Sequence, residues 1–477
     1  MNRVVPWLAA HRRHSLMLVI MLGLAIRLLF WLWGAARLYG PEAMYTNGDT
    51  PSYVQSFLNL WQHGHYTFNP QEPMASFGRL PGYPFFIGLH YLLTGPEHFH
   101  QAIAATQILL DTLSIVLLYR AARRIFPHES PVLALLTAGL YALYPFAIAW
   151  VTITGTETLS IFFVLLWINA LLITASRGSF WLVVGIVTAM AFFVREYLGV
   201  LLPITLLLTP TYYQRLSVAA RIRRAAWVVL GFGLLYGWWP ARNLLLQHQL
   251  VLVKPVTAGY SDMRPDMLSF LDWVHLWSND NTYWLHEVMD QRQAARFPAH
   301  VVPDAADRAL LQHLIAQANT CGSSFYARRH LRDDLATRNC NEELRRGFDT
   351  LRLRYQRRHP WRAALETPVR NTAKALFKNE LLRDSGVSGV LITLLFAGRS
   401  VLVLLGIYGG LRLRRQQKLW PLLAFSAFMY CFICVYFHSL EMRYLLQADA
   451  LLLLPAAAVL WQWLKPAAAP LKPFRML

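Results

Sequence analysis

Apolar runs of bilayer-spanning length recur along almost the whole chain. They extend from Ser15 to Trp33, Gln101 to Tyr119, Pro131 to Ala149, Glu157 to Thr174, Phe180 to Val194, Tyr197 to Leu208, Ala225 to Trp239, Val387 to Leu411, Trp420 to Phe437 and Leu445 to Trp463. A transmembrane helix needs about 20 predominantly apolar residues, so the sequence predicts an all-α polytopic membrane protein with about ten transmembrane helices. The two runs flanking Arg195 are short and are expected to tilt, and Phe85 to Leu93 is too short to cross and is expected to dip into the interface. With 56% of its 477 residues hydrophobic and only 15% charged, the chain is too apolar for a soluble enzyme.

The formal net charge of +19 raises the question of nucleic acid. The basic residues fall in short clusters between apolar runs and not on one soluble face, which argues against it and for loops facing an anionic leaflet and its membrane lipids. Lysine and arginine accumulate in short cytoplasmic loops. Ten spans with both termini in the cytoplasm put Arg120/Arg123/Arg124, Arg177, Arg215/Arg221/Arg223/Arg224, Arg412/Arg414/Arg415/Lys418 and Lys465/Lys472/Arg475 on that side. The short loops opposite hold only Arg37, Arg79, Arg195 and Arg443. The first apolar run follows a basic lead, as in a secretory signal, but it is longer than a signal core and contains Arg27, which favours a retained span.

Three regions follow: an N-terminal membrane core over 1–241 with a first external loop at 34–100, an external subdomain over 242–385, and C-terminal membrane helices over 386–477. The middle region has mixed charge and helix-like stretches at Ala305 to Ala318 and Asn341 to Arg358. From His359-Pro360 to Phe377 the pattern is amphipathic and suits a membrane surface. Cys321 and Cys340 lie in this block and form a disulfide if the compartment is oxidising. Cys431 and Cys434 have CxxC spacing but sit in an apolar span with no other soft ligand, so they read as packed thiols.

The hydrophilic stretch Asn47 to Pro84 looks chosen for chemistry. Asp49 precedes Thr50-Pro51, an N-cap with proline in the first turn, which puts its carboxylate at the mouth of a short helix ending near Gly64. A carboxylate there is stabilised as the anion. Tyr53, Phe57, Leu60 and Trp61 form the helix's apolar stripe. Arg79-Leu80-Pro81-Gly82-Tyr83-Pro84 predicts an extended, turn-rich return that leaves Arg79 near Asp49. His63 and His65 have H-x-H spacing without a third ligand at usable distance, so helix-end capping is preferred to zinc.

Further polar residues recur at the same membrane face. Glu157 opens one span from Thr154-Gly155-Thr156, Arg195-Glu196 interrupts two apolar runs, Trp238-Trp239-Pro240-Ala241-Arg242-Asn243 closes another span, and Glu441-Met442-Arg443-Tyr444 opens the last. Each has a structural reading: a helix-dipole partner, an interhelical ion pair, an interfacial aromatic belt. Asp111 lies within the second span, where a carboxylate is either functional or paired with a neighbouring helix.

In this order, NGDTPSY at Asn47, Gly64-His65-Tyr66, RLPGYP at Arg79, TGTETL around Glu157, VREYLGVLLP around Arg195, WWPARN at Trp238 and EMRYLL at Glu441 resemble the motifs of bacterial membrane glycosyltransferases of the GT-C fold. The group is the protein O-mannosyltransferase-like one, glycosyltransferase family 39 and its aminoarabinose-transferase relatives. The resemblance spans the membrane core and is weaker over Val256 to Ser385. It implies an inner-membrane enzyme whose site faces the periplasm, moving a sugar with inversion from a polyprenyl-phosphate donor to a hydroxyl of a glycan, lipid or protein. Asp49 would be the general base, and Arg79, Arg195 and Arg242 the donor-phosphate ligands. Tyr53, Tyr83, Glu157, Glu196, Asn243, Glu441 and Arg443 would bind substrate or shape the site. The chain departs from the family in having Thr50 where a second acid often follows the first, and Gly78-Arg79 where aminoarabinose relatives carry an acid and a lysine.

The chemistry is compatible with these residues. An attacking alcohol needs a base, and the departing phosphate needs positive charge, which arginine supplies through a planar fork that stays charged. No cofactor is expected, and no divalent metal is required. The alternative is a transporter or flippase of a lipid-linked saccharide, which calls for inverted repeats and polar groups at the midplane. The sequence has no internal repeat, and its polar groups gather at one face.

Overall fold

The computed structural model describes residues 4–173, 179–212, 217–255, 260, 262–278, 280–290, 296–330, 339–377, 389–437 and 441–464. Arg177, Arg215, Lys465, Lys472, Arg475, the expected span start at Val387 and the 385/386 boundary lie outside them. Five helices are long and apolar enough to cross a membrane: α1 (Arg12–Tyr39), α4 (Phe99–Ile125), α17 (Gly389–Arg412), the segment Gln417–Tyr436 containing α18 (Trp420–Cys431), and α19 (Leu446–Leu464). Shorter apolar helices are α5 (Pro131–Ala142), α6 (Glu157–Ile173), α7 (Phe180–Val194) and the segment Glu196–Leu208, which runs into α8 (Leu201–Tyr212). Helix α9 (Val218–Tyr236) carries three arginines near its start. These correspond segment by segment to the expected spans, and no strand occurs among the described residues.

Local chemistry explains where helices stop. Helix α5 ends at Ala142, short of the expected Ala149, because Pro145 holds Tyr144 extended at φ −77° and ψ 101°. The expected extended return at Arg79 to Pro84 is instead the start of a helix, α3 (Gly82–Thr94). Pro81 is its N-cap and Pro84 falls in its first turn, where a missing N–H costs nothing. The first loop's other helix, α2 (Thr50–His63), ends on Gly64 at φ 73°, as the sequence predicts.

Glycines set the closest helix contacts. A Cβ on Gly185 of α7 would lie 2.1 Å from the Val228 carbonyl oxygen of α9, and one on Gly231 would lie 2.1 Å from that of Leu182. Gly406 and Gly409 of α17 similarly admit the Leu452 and Pro455 carbonyls of α19. Lipid tails are as apolar as leucine, so helices associate here by close packing over small residues.

Two buried ion pairs cross the apolar core. Arg27 of α1 pairs with Asp111 of α4 at 2.5 Å, and Tyr141 donates to the same carboxylate. Arg399 of α17 pairs with Asp449 of α19 at 2.8 Å, with Tyr144 and Tyr430 donating at 3.0 and 2.7 Å. Asp111 is therefore an interhelical partner. Each charge is offset where an unpaired one would be expensive.

After α9 the chain forms α10 (Trp238–Gln247) and then a helical cap: α11 (Pro265–His275), α12 (Asn281–Met289), α13 (Ala305–Thr320), α14 (Ser323–His330) and α15 (Asn341–Arg358). The cap has its own core, with Phe270 and Trp273 of α11 against Leu311 of α13 and Phe348 of α15. A disulfide joins Cys321 and Cys340, Cα atoms 5.4 Å apart, between the end of α13 and the start of α15. Residues 360–377, ending in α16 (Thr367–Phe377), expose Trp361, Leu365, Val369 and Phe377. That is the amphipathic face the sequence predicts. Cys431 and Cys434 are free thiols.

Candidate functional site

Asp49 is held in place by its neighbours so that its carboxylate stays available. It occupies the N-cap position of α2 but makes no capping bond with its side chain. Asn47 takes that role, its Oδ1 accepting from the Asp49 and Thr50 amides at 3.0 and 3.1 Å. Thr50 then donates to the Thr154 carbonyl at 2.8 Å, while Gln107 of α4 donates to the Val151 and Ile153 carbonyls. The loop before α6 and the loop before α2 are thereby locked together.

The freed carboxylate bridges two arginines. Asp49 Oδ1 accepts from Arg79 Nη2 at 2.9 Å, and Oδ2 from Arg443 Nη1 at 2.7 Å. Burial pulls the Asp49 pKa upward, but Arg79 and Arg443 outweigh it and hold the carboxyl well below the ordinary value. Arg79 also donates to Ser52 Oγ and to the Tyr53 hydroxyl, and its guanidinium lies 4.0 Å from the Tyr53 ring centre. Tyr83 is buried, packs edge-on against Tyr53 and donates to Gln107.

A second, deeper layer lies behind Asp49. Arg195 follows α7 in an extended conformation that ends the helix and turns the guanidinium inward. It donates to Glu157 Oε1 at 2.6 Å, to Thr156 Oγ1 at 2.5 Å and to the Tyr197 hydroxyl at 2.6 Å. Arg443 Nη1 lies 3.7 Å from the same Glu157 oxygen and its Nε donates to Glu441 at 2.5 Å. Asp49, Arg443, Glu157 and Arg195 thus form one continuous charge relay.

Asp49, Tyr53, Arg79 and Arg195 open onto a cavity of about 920 Å³. Its lining includes the charged side chains of Asp49, Arg79, Arg195, Glu196, Lys254 and Arg328. Much of the remaining wall is apolar, with Phe192, Val200, Pro203, Phe232, Phe428 and Ile433. Lys254 pairs with Glu196 at 3.0 Å, and that carboxylate holds its pKa up against the effect of burial. Arg328, from the cap, pairs with Asp262 at 2.9 Å. The cap is tied to the first loop by an Arg264–Glu72 ion pair and by Phe68 against Tyr260, ring centres 4.9 Å apart.

Not every expected residue faces this space. Arg242 is directed at the first loop, where it donates to the Ser76 and Tyr66 carbonyls at 3.2 and 3.1 Å and to Asn243 at 3.0 Å. Asn243 in turn donates to the Val251 carbonyl. Arg242 braces the first loop, Asn243 holds the chain after α10, and neither lines the cavity. Lys254, Tyr260, Asp262 and Arg328 escaped the sequence reading. Of these only Lys254 left a trace, as a lone charge in the apolar run Leu250-Val251-Leu252-Val253-Lys254-Pro255. His63 and His65 are exposed, and no group of three metal-ligating side chains occurs among the described residues.

An apolar helical bundle with a charged site beside an apolar-walled cavity is the GT-C type of fold. Residues 73–239 match the family model described as dolichyl-phosphate-mannose-protein mannosyltransferase. The fold is similar to archaeal oligosaccharyltransferase AglB from Archaeoglobus fulgidus in complex with an inhibitory peptide and a dolichol-phosphate. That match has a TM-score of 0.50 and 11% identity over 96% of this chain and 51% of that one. A second A. fulgidus oligosaccharyltransferase structure, with Zn and sulfate, matches at 0.48 and 13% over 94% and 49%. ArnT from Cupriavidus metallidurans bound to undecaprenyl phosphate matches at 0.33 and 17% over 92% and 77%. The chain spans about half the length of the oligosaccharyltransferases. No curated protein sequence matches it.

Proposed function

We propose that this protein transfers a sugar from a polyprenyl-phosphate donor to an acceptor hydroxyl, with inversion, at the side of the membrane bearing the cap. The observation that carries the reading is the mixed lining of the cavity, which joins a carboxylate and several cations to apolar walls of prenyl-chain character. The prenyl chain would lie along Phe192, Phe232 and Phe428, with the phosphate beside the charged side chains. Arg195, Lys254 and Arg79 are the candidate phosphate ligands, since guanidinium and ammonium groups stabilise the charge that grows as the phosphate departs. Arg242 then serves by holding the loop that carries Arg79.

The reaction follows from this placement. The acceptor oxygen forms a bond to the anomeric carbon as its proton passes to Asp49, and the bond from that carbon to the phosphate oxygen breaks with its electron pair leaving on polyprenyl phosphate. Attack from the face opposite the leaving group inverts the centre. Paired with both arginines, Asp49 is a weak base. A donor phosphate that competes for Arg79 would lift that restraint, so the base gains strength once donor is bound. The arginines supply the positive charge, and we expect no need for a divalent ion.

The distribution of lysine and arginine supports cytoplasmic termini and an extracytoplasmic site, the periplasmic face of an inner membrane. The charges buried between spans, Arg27–Asp111 and Arg399–Asp449, are closed ion pairs, which favours an enzyme over a transporter. The test is to incubate membranes with a panel of polyprenyl-phosphate sugars and follow release of polyprenyl phosphate. Wild type should turn over one of them, Asp49→Asn should lose about 10²–10⁴-fold, and a chelator should change nothing. Equal turnover by the two proteins removes Asp49 from the base role.

A further inference from the structure

The carboxylate of Asp49 lines the first cavity, yet its partner Arg443 does not. Arg443 lines a second cavity of about 850 Å³, together with Asn47 and Gly48, the two residues preceding Asp49. The 2.7 Å Asp49–Arg443 pair is therefore a partition between two chambers. The walls of the second chamber are apolar, with Leu29 and Phe30 from α1, Leu143 and Phe146 from the α5 end, and Ile392 and Leu395 from α17. Leu29 and Leu395 are 50% and 40% exposed, on faces of α1 and α17 that a bilayer would cover. The chamber's mouth thus lies toward lipid between these helices. Its polar end carries Arg37, which has no ion-pair or hydrogen-bond partner among the described residues, beside Glu441 and Arg443, which pair with each other.

We propose that this second chamber is the acceptor site and that the acceptor is a membrane lipid with an anionic head group bearing a free hydroxyl. This deepens the transferase reading above and rests on it. A peptide brings an N–H and a C=O with every residue, and these walls offer almost nothing to satisfy them. Acyl chains need no such partners. With the chains between α1 and α17, the head group's negative charge meets Arg37 and its hydroxyl reaches the Asp49 partition. Donor and acceptor then approach one carboxylate from separate chambers, so the base can take the hydroxyl's proton as its oxygen attacks the anomeric carbon on the face away from the phosphate.

The test is photo-cross-linking of the full-length protein in phosphatidylcholine vesicles doped with phosphatidylglycerol carrying a diazirine on an acyl chain. Labelled peptides are mapped by mass spectrometry, with diazirine-phosphatidylcholine as the neutral comparison and undecaprenyl phosphate as a competitor for the first cavity. The anionic probe should label residues 26–38 and 392–395, and undecaprenyl phosphate should not displace it. Ile392→Trp, which fills the chamber, should abolish the label, and Arg37→Gln should weaken it about tenfold. Equal labelling by the neutral lipid, or unchanged labelling in Arg37→Gln, overturns the proposal. Arg37 is exposed, so its variant decides the matter even where Ile392→Trp fails to fold. Undecaprenyl phosphate binding to wild type is read separately. Its absence, with the label in place, removes the donor reading and leaves the lipid site standing.

Discussion

Asp49 and Arg443 are 394 residues apart along the chain and 2.7 Å apart in the structure. That contact joins the first loop to the start of the last span, and with Arg79 it sets the acidity of the carboxylate. A group whose folded pKa is depressed stabilises the fold fully above the unfolded value and loses that contribution as pH falls through the folded one. Asp49 should therefore be ionised across the working range. Its acid limb in kcat/KM should lie below about pH 4, the ordinary carboxylate value. Arg443→Gln removes one of the two opposing charges and should move that limb upward. A pH profile of polyprenyl phosphate release compares the two, and superimposable acid limbs contradict the assignment.

Arg195 and Glu157 test whether buried charge serves catalysis or only balance. Arg195→Met strands the Glu157 carboxylate in a buried site, and the loss in stability should be about 3 kcal/mol. The double variant Arg195→Met/Glu157→Leu should recover most of that in thermal unfolding. Turnover should stay low in both, because the proposed phosphate ligand is gone. Activity returning with stability would confine Arg195 to neutralising Glu157.

The pair Arg27–Asp111 should behave differently. Asp111→Asn leaves a guanidinium uncompensated between helices and should cost about 3–5 kcal/mol. Arg27→Met/Asp111→Leu should restore the melting temperature, and turnover per folded molecule should match wild type. A folded double variant without activity would assign Asp111 a role beyond packing.

Close approach of α7 and α9 depends on Gly185. Gly185→Leu puts side-chain atoms into the Val228 carbonyl and must part the helices that present Phe192 and Phe232 to the first cavity. We expect a stability loss of about 1–3 kcal/mol and weaker donor binding. Gly233→Ala, where nothing lies within 4 Å, is the control and should leave both unchanged.

Much of this protein could be read from its residues because membrane solvent imposes one-dimensional rules. Apolar length predicts spans, and proline, glycine and side-chain oxygens mark helix ends locally. Asp49 and Arg79 stood out within a hydrophilic stretch between apolar runs, and Arg195 and Arg443 as charges at the ends of apolar runs, where charge is costly. The capping exchange between Asn47 and Asp49, and the conversion of the Pro81–Pro84 stretch from an extended return to a helix start, depend on backbone angles that residue types only bias. Arg399 and Asp449 went unread because each looks like an isolated cost until the partner is seen across the helix interface.

The sequence by itself determined that the chain is a bundle of membrane helices with acids and arginines gathered near one end, since lipid admits only helices or closed barrels and continuous apolar runs of this length suit helices. Only the tertiary structure decided which charges meet, that Arg242 braces a loop while Lys254 and Arg328 face the cavity, and that Asp49 stands between two chambers. Hydropathy is a property of each residue in its solvent. Pairing is a property of helix packing, which depends on contacts hundreds of positions apart.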